Sequence, residues 1–400
     1  MHAVITGIGV VAPNGLGIDD YWANTVAGKG GIGRITRFDP SGYPAQLAGE
    51  VPGFVAEDCL ESRLLPQTDH MTRLALVAAD WAMADAGIGP ADFDEYEVGA
   101  ITASSAGGFE FGQNELRALW SRGSQFVSAY QSFAWFYAVN TGQISIRHGL
   151  RGPSGVVVAD QAGGLDAIAQ ARRQLRHGRR AMVTGGVDAS ICPWGWAALL
   201  TSGGISTASD PADAYRPFDP ASTGYVPGEG GALLILEEAE SAAARRRPRY
   251  GTVAGYGASF DPHPSTGRPP ALRRAIESAL ADAAVDAGDV DVVFADGWGL
   301  PGPDAVEAAA LCAVFGPAGV PVTVPKSMTG RLNSGAGALD VVTALLAIRD
   351  DLIPPTINVA GAAEYQLDLV VGQARPARLG TALIIARGYR GFNSALVVTG

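Results

Sequence analysis

The stretch that decides the fold is GVVVADQAGGLDAIAQARRQLRHG, residues 155–178. A short β-branched run ends at Asp160, and a helical pattern with small residues in its first turn begins directly after it. Such an elbow presents one side chain at the N-terminus of the helix, where free backbone amides and the helix dipole stabilise negative charge. This is a site for a nucleophilic thiolate. The residue at that position is Gln161, and because a carboxamide is not a nucleophile of the needed strength, we expect no acyl-enzyme there.

Working outward from this elbow, β-branched runs alternate with helical segments along the whole chain. The alternation predicts an α/β fold with a mostly parallel sheet covered by helices. An Ala-, Arg- and Pro-rich segment at residues 239–248 precedes a fresh strand, so we place a boundary there. The predicted halves are residues 1–248 and 249–400, and their similar patterns suggest a duplication.

The alternating pattern predicts nine strands and eight helices. Predicted strands are VITGIGVV (4–11), VGAITASS (98–105), GVVVAD (155–160), AMVTGGVDAS (181–190), TVAGYGASF (252–260), VDVVFAD (290–296), VPVTV (320–324), TALIIARGY (381–389) and NSALVVTG (393–400). Predicted helices cover residues 19–27, 72–86, 110–121, 132–146, 161–178, 271–283, 304–315 and 336–348.

Composition excludes several classes of function. The net charge of -11 argues against a general nucleic-acid-binding surface. The cysteines Cys59, Cys192 and Cys312 are odd in number and form no CxxC or Cys/His cluster, so we expect neither disulfides nor a metal site. No apolar run approaches membrane-spanning length. The expected location is the reducing cytoplasm.

Five blocks resemble the beta-ketoacyl synthases of the thiolase superfamily. They are VVVADQAGGLDA (156–167), FDPASTGYVPGEGGALLILE (218–237), ADGWGLPGPD (295–304), VPKSMTGRLNSGAGALD (324–340) and GYRGFNSALVV (388–398). The resemblance runs the whole chain and implies a thiolase-like fold, in which two similar halves form a layered α-β-α-β-α architecture.

In condensing members of that family, the first block carries the cysteine and later blocks carry a lysine and two histidines. Lys326 is retained here, but the histidine positions fall on Asp296 and Arg331, and none of the chain's five histidines occupies either. Condensation needs a nucleophile and imidazoles that stabilise an enolate. An anionic Asp296 would repel that enolate, and Arg331 cannot act as a base. A stand-alone condensing enzyme is therefore a poor interpretation, and we expect Lys326 to bond to strand ends.

The loss of these groups, with a glutamine at the elbow, resembles the chain-length factors of bacterial type II aromatic polyketide synthases. TASSAGGFEFGQ (102–113), YQSFAWFYAVNTGQISIRHG (130–149) and ICPWGW (191–196) strengthen that match. The resemblance implies a heterodimer with a ketosynthase alpha subunit. It also implies contact with the growing polyketide chain and with a phosphopantetheinylated acyl carrier protein, and no bound cofactor.

Chain-length factors line the far end of the polyketide tunnel with a helix that follows the SSAGG turn. The matching residues are Phe109, Gly112 and Leu116, whose spacing puts them on one helical face. Because Gly112 has no side chain and Leu116 is smaller than an aromatic residue, the resemblance predicts a roomy cavity and a longer polyketide. A helix that only packs an apolar face would show the same spacing.

Two interpretations of Gln161 stay open at this point. Its amide could support decarboxylation of a malonyl group by donating to an enolate oxygen, which would supply an acetyl primer. Alternatively, it is a buried polar plug bonded to nearby backbone. The chain is then either a catalyst in its own right or a scaffold that sets product length. The aromatic run Phe133, Trp135, Phe136 and Tyr137 could form a ligand cage, but we interpret it as interface and core.

Overall fold

The computed structural model describes residues 3–89, 92–360 and 363–400. The strands are β1 (Ala3–Ala12), β2 (Gly15–Leu16), β3 (Ile32–Arg34), β4 (Leu47–Gly49), β5 (Val98–Ala103), β6 (Ser154–Val157), β7 (Ala181–Asp188), β8 (Gly230–Glu238), β9 (Gly251–Phe260), β10 (Val292–Phe294), β11 (Pro321–Thr323), β12 (Leu352–Ile353), β13 (Asp368–Leu369), β14 (Arg375–Pro376), β15 (Thr381–Arg387) and β16 (Phe392–Thr399).

The helices alternate with these strands. They are α1 (Gly17–Val26), α2 (Ala56–Cys59), α3 (His70–Ala86), α4 (Phe109–Arg122), α5 (Gln131–Ala134), α6 (Val139–His148), α7 (Gly163–Arg176), α8 (Pro193–Thr201), α9 (Pro211–Ala214), α10 (Ala239–Ala244), α11 (Leu272–Ala283), α12 (Pro301–Phe315), α13 (Lys326–Thr329) and α14 (Ser334–Asp350).

The main sheet repeats one strand order in its two halves. Its path within the described ranges is β6-β5-β7-β8-β1-β9-β16-β15-β10-β11-β13, with β2 beside β1. Numbered along each half, the first, second, third, fourth and fifth strands are β1, β5, β6, β7 and β8, then β9, β10, β11, β15 and β16. Both sets lie in the order third, second, fourth, fifth, first. The predicted similarity of the halves is therefore confirmed at the level of topology.

The prediction of a mostly parallel sheet is wrong, because the sheet is mixed. Strand β5 pairs in parallel with β6 and β7, and β10 with β11 and β15. The middle of the sheet is antiparallel, through the pairs β7–β8, β8–β1, β1–β9, β9–β16 and β16–β15. Strand β16 follows β15 after only residues 388–391, and so short a connection can join only antiparallel strands.

The helices form three layers around the two halves of the sheet. Helix α3 packs on the outer face of the first half and α11 on that of the second. Between the two halves lie α7 and α14, whose apolar side chains share one buried cluster with strands of both. This is the expected α-β-α-β-α layering, and it brings the N-termini of α7 and α14 together at the centre of the molecule.

One predicted helix is divided in two. Residues 132–146 form α5 and α6, separated by residues 135–138. The break has a local cause, because the carbonyl of Trp135 accepts a hydrogen bond from the amide of Gly108 at 3.0 Å instead of continuing a helix. The loop before α4 is thereby attached to the chain segment that carries the aromatic run.

Candidate functional site

The elbow at Gln161 is built by close packing of the two central helices. Residues Asp160–Ala162 form a single 3-10 turn between β6 and α7, and Asp160 takes a left-handed backbone conformation with φ 50°. A Cβ on Gly164 would lie 2.5 Å from the carbonyl oxygen of Ser334 in α14, so only glycine fits there. The small residues after Gln161 therefore allow α7 and α14 to touch, and Gln161 is left 3 % exposed.

Both ends of the Gln161 amide are paired with one backbone unit. In the amide orientation that satisfies both atoms, the side-chain nitrogen donates to the carbonyl of Asn333 and the side-chain oxygen accepts from its N–H, each at 3.1 Å. Asn333 precedes α14 and, like Asp160 before α7, has a positive φ, 49°. The two elbows thus face each other, and the bonding is that of a buried plug, since both the nitrogen and the oxygen of the amide are bonded to backbone.

The two positions that match the catalytic histidines form an ion pair with each other. Arg331 donates to the carboxylate of Asp296 through both terminal nitrogens, at 2.8 and 3.2 Å, and to the carbonyl of Arg387 at 3.0 Å. Asp296 is fully buried and Arg331 is 2 % exposed. Burial alone would lower the pKa of Arg331, but the charge of Asp296 raises it above its ordinary value.

This pairing corrects part of the sequence argument. Asp296 is not an isolated anion facing an enolate, because Arg331 neutralises it. Glu307 fixes the backbone on either side by accepting from the amides of Asp296 and Gly297 at 2.7 and 3.0 Å. Burial and the charge of Asp296 raise the pKa of Glu307 to about 7. The two residues that the resemblance places at the histidine positions form a bidentate structural pair.

Lys326 bonds to a strand end, as expected. Its amine donates to the carbonyl of Ala295, directly after β10, at 2.9 Å and forms an ion pair with the buried carboxylate of Asp340. Burial raises the pKa of Asp340 to about 6, although Lys326 opposes the shift. The amine is fully engaged within the protein and is not presented to a substrate.

A cavity of about 350 Å³ remains beside Gln161. Its wall includes Val158, Tyr225, Trp298 and Tyr389, and it contains no cysteine or histidine. The closing segment is tied to the elbow, since the amide of Tyr389 donates to the carboxylate of Asp160 at 2.7 Å. The hydroxyls of Ser105 and Ser202 line the cavity, but its wall has no thiol and no imidazole that could activate a hydroxyl.

The predicted chain-length residues lie on α4, and two of them meet a side chain that sequence reasoning missed. The rings of Phe109 and Trp194 form an edge-to-face pair with centroids 4.8 Å apart. A Cβ on Gly112 would lie 3.0 Å from Cζ3 of the same Trp194. Leu116, further along the helix, is 38 % exposed. The space that Gly112 leaves open is therefore bounded by the indole of Trp194, at the start of α8.

The contact between α4 and α8 also has a polar component. The amide of Trp194 donates to the side-chain oxygen of Gln113 at 2.7 Å. The block ICPWGW contributed to the resemblance without any assigned role for Trp194. Trp194 lies far from α4 along the chain, so no local sequence pattern predicts the contact between them. The contact exists only in the folded chain.

Large apolar side chains are exposed on α4 and the segments that follow it. We call this set the aromatic face, and it comprises Leu116, Trp120, Phe126, Tyr130, Trp135, Phe136 and Tyr137, each at least 38 % exposed. Phe133 instead packs against the core cluster of α3. The aromatic run is thus divided between interface-like exposure and core, as predicted. Exposed apolar patches of this kind mark protein interaction sites.

Comparison with known proteins decides the family. The model described as the N-terminal domain of beta-ketoacyl synthase matches residues 2–242, and that of the C-terminal domain matches residues 250–360. The chain belongs to the beta-ketoacyl synthase family. Among its relatives in that family, the tetracenomycin polyketide synthase ketoacyl synthase beta subunit of Streptomyces glaucescens is 59 % identical, with 99 % of this chain and 97 % of the relative covered. This beta-ketoacyl synthase is accordingly a ketosynthase beta subunit of the type II polyketide synthases.

Solved structures agree with this assignment. The ishigamide ketosynthase/chain length factor matches with a TM-score of 0.91 and 28 % identity, over 100 % of this chain and 98 % of that one. A type II acyl-carrier protein in complex with its ketosynthase bound to the hexaketide matches with a TM-score of 0.88 and 27 % identity, over 100 % and 99 %.

Two further features of this ketosynthase beta subunit concern ligands and membranes. In residues 3–89, 92–360 and 363–400, no cluster of His, Cys, Asp and Glu side chains is arranged to hold a metal ion. No helix within the same ranges has the length and apolar character needed to cross a membrane.

Proposed function

We propose that this ketosynthase beta subunit pairs with a condensing ketosynthase alpha subunit and sets the length of the polyketide that the alpha subunit builds. The observation that carries the proposal is the contrast between its closed elbow and its exposed α4. The elbow offers no nucleophile and no imidazole, so condensation must occur on the partner. The helix that the family resemblance assigns to the tunnel lies on the surface of the isolated subunit.

The surface around α4 is suited to a partner subunit. Among the described strands, β6 ends the sheet at one side, and Ser154 at its start is exposed. A partner that covers the open strand edge would satisfy its backbone groups, and one that covers the aromatic face would bury apolar side chains. A related chain-length factor pairs with a ketosynthase, and we extend that pairing to this subunit.

Tunnel length is proposed to depend on Phe109, Gly112 and Leu116, with Trp194 as a fourth contributor. A chain growing from the partner's cysteine would reach the beta subunit at the face formed by these residues. Gly112 has no side chain at a point where Trp194 already limits the space. The length of the product would then depend on how far this face lies from the partner's nucleophile.

The experiment that tests this function is a substitution at Gly112 in the assembled heterodimer. Gly112→Leu is expected to shorten the product, because its side chain must enter the space beside Trp194. The matched control is Gly302→Leu in α12, where an added Cβ meets nothing within 4 Å. Products made with malonyl-loaded carrier protein are compared by mass, and an unchanged length in Gly112→Leu would contradict the proposal.

A malonyl carrier-protein decarboxylase acting through Gln161 is the weaker alternative. The amide is engaged with Asn333, and the histidine positions hold the pair Asp296–Arg331. The purified chain, incubated with malonyl carrier protein, is expected to form no more acetyl carrier protein than a Gln161→Ala variant. A clear excess over that variant would favour the alternative.

The carrier protein and the location belong to the same proposal. The substrate is expected to arrive on the phosphopantetheine arm of an acyl carrier protein, with no cofactor resident in this subunit. A related ketosynthase binds such a carrier. We infer a cytoplasmic location, with Cys59, Cys192 and Cys312 free, which suits a reducing compartment.

A further inference from the structure

We infer that Asp69 and Arg37 are positioning residues for chain-length control, because they hold the first turn of α4 against Trp194. The inference rests on the proposed function and deepens it. It names two side chains outside the tunnel face that determine where that face lies.

The first turn of α4 has no cap of its own. The N-cap residue is Gly108, which has no side chain to accept a hydrogen bond. Helix N-termini leave backbone amides without partners inside the helix, so an external acceptor is needed wherever that turn is buried. The partner of one such amide, that of Phe111, comes from another helix.

That acceptor is Asp69, which caps two helices at once. One carboxylate oxygen accepts from the amide of Met71 at 2.8 Å, within α3, and the other accepts from the amide of Phe111 at 2.7 Å, within α4. Asp69 is 2 % exposed. A buried, charged acceptor shared by two helices fixes the start of α4 relative to α3, which is itself anchored in the core.

The glycines before α4 make this close approach feasible. A Cβ on Gly108 would lie 2.8 Å from Cβ of Asp69, and a Cβ on Gly107 would lie 2.3 Å from the carbonyl oxygen of Trp135. Gly107 also has φ 85°, a conformation that favours glycine. The SSAGG turn is therefore shaped to seat the first turn of α4 on Asp69.

Arg37 provides a second tie to that turn, through the side chain of Glu110. Its guanidinium pairs with Glu110 in α4 at 2.6 Å and with the buried Glu229 at 2.8 Å. Glu229 in turn accepts from the amide of Val51 at 3.1 Å and contacts His70 at 3.3 Å. Arg37 thus links α4 to a carboxylate that is fixed within the core.

These ties act on the part of α4 that meets Trp194. Phe109 and Gly112, which contact Trp194, lie in the same first turn as Glu110 and Phe111. Leu116 lies further along the helix and has no such tie to Asp69 or Arg37. If the ties are cut, the first turn of α4 is free to shift away from Trp194. The end of the tunnel then no longer lies at a single distance from the partner's nucleophile.

The test measures product-length distribution in the heterodimer with its alpha subunit, using malonyl-loaded carrier protein. Asp69→Asn and Arg37→Ala are each expected to raise the share of products of other than wild-type length about fivefold, as about 1 kcal/mol of lost capping would allow. Arg37→Lys, which can pair with one carboxylate, is expected to restore part of the wild-type distribution. Arg63→Ala, an exposed arginine paired only with exposed Glu61, is the matched control.

The outcomes separate this inference from the function on which it rests. A merely structural role would lower total yield without changing the ratio of lengths, and that result would overturn the inference. If Asp69→Asn fails to assemble with its partner, Glu110→Gln decides, because Glu110 is partly exposed and its loss cuts the tie to Arg37 alone. Wild-type ratios in these variants, with a shortened product in Gly112→Leu, would overturn the inference alone. An unchanged length in Gly112→Leu would contradict the function itself.

Discussion

The elbow at Gln161 and the face of α4 at Gly112 differ in how completely the chain itself provides partners for their side chains. At the elbow, Gln161, Asp296 and Lys326 all have partners within the chain, and all are buried. On and beyond α4, large apolar side chains remain exposed, up to 82 % for Trp120. The side chains of Gln161, Asp296 and Lys326 are paired within the chain, whereas those of the aromatic face are left exposed.

This difference separates a site whose side chains are paired within the chain from a surface that is left open. A site that retains chemistry keeps strained or unpaired groups, because a substrate must engage them. Here Arg331 pairs with Asp296 and Gln161 bonds to the backbone of Asn333, although Asp160 and Asn333 keep positive φ angles. The features with no explanation inside the chain, Gly112 beside Trp194 and the aromatic face, belong to an interface and a tunnel end.

The largest expected effect comes from breaking the ion pair at the elbow. Arg331→Met leaves Asp296 buried without its counter-charge, and we expect the free energy of unfolding to fall by about 3–5 kcal/mol. The double variant Asp296→Asn/Arg331→Met removes the uncompensated charge and should recover much of that loss. Denaturant unfolding measures both. A loss below about 1 kcal/mol in Arg331→Met would mean that the pair is not a structural replacement for the histidines.

A smaller effect is expected from the pH dependence of Asp304, which supports the backbone near the elbow. Burial raises its pKa from 3.8 to about 6, although the amides of Phe218 and Gly299 donate to it. The folded state therefore binds this proton more tightly than the unfolded state, so the contribution of Asp304 to stability is fully present below about pH 4 and is lost as pH rises to about 6. At about 1.4 kcal/mol per pKa unit, the change is on the order of 3 kcal/mol.

The variant Asp304→Asn isolates this contribution. Between pH 4 and 6, its unfolding free energy should fall less steeply than that of the wild type. Parallel slopes for the two proteins would show that Asp304 titrates in the folded state as it does in the unfolded state.

The smallest expected energetic effect lies at the contact between α4 and α8, where the effect on product length should be largest. Trp194→Ala removes the edge-to-face pair with Phe109, which is worth about 1 kcal/mol, and opens the space beside Gly112. We expect longer products from the heterodimer. The matched control is Phe260→Ala, which removes a similar edge-to-face pair with Phe392 at 5.0 Å. Both variants should lose similar stability, and only Trp194→Ala should change the product length. A change of product length in Phe260→Ala alone would contradict the role of Trp194.

Much of the fold and of the elbow could be predicted from the sequence, because both are recorded in local patterns. The strand, the small residues and Gln161 lie within a dozen positions, and the alternation of elements recovers most helices and strands. The matches at Asp296 and Arg331 depend on blocks that are also local. The mixed sheet was missed because strand periodicity carries no information on the direction of a neighbour.

The remaining features depend on contacts between segments that are far apart in the chain. The pairing of Asp296 with Arg331, the bonds from Gln161 to Asn333, and the approach of Trp194 to Gly112 each need two elements to end at the same point in space. Asp69 and Arg37 carried no signal either, since a shared cap and a bridging arginine have no fixed spacing.

The most direct test compares the elbow and α4 in one assay of product mass, with the same alpha subunit in every reaction. We expect Gln161→Ala heterodimers to give the wild-type product and Gly112→Leu heterodimers to give a shorter one. A changed length in Gln161→Ala together with wild-type length in Gly112→Leu would contradict it.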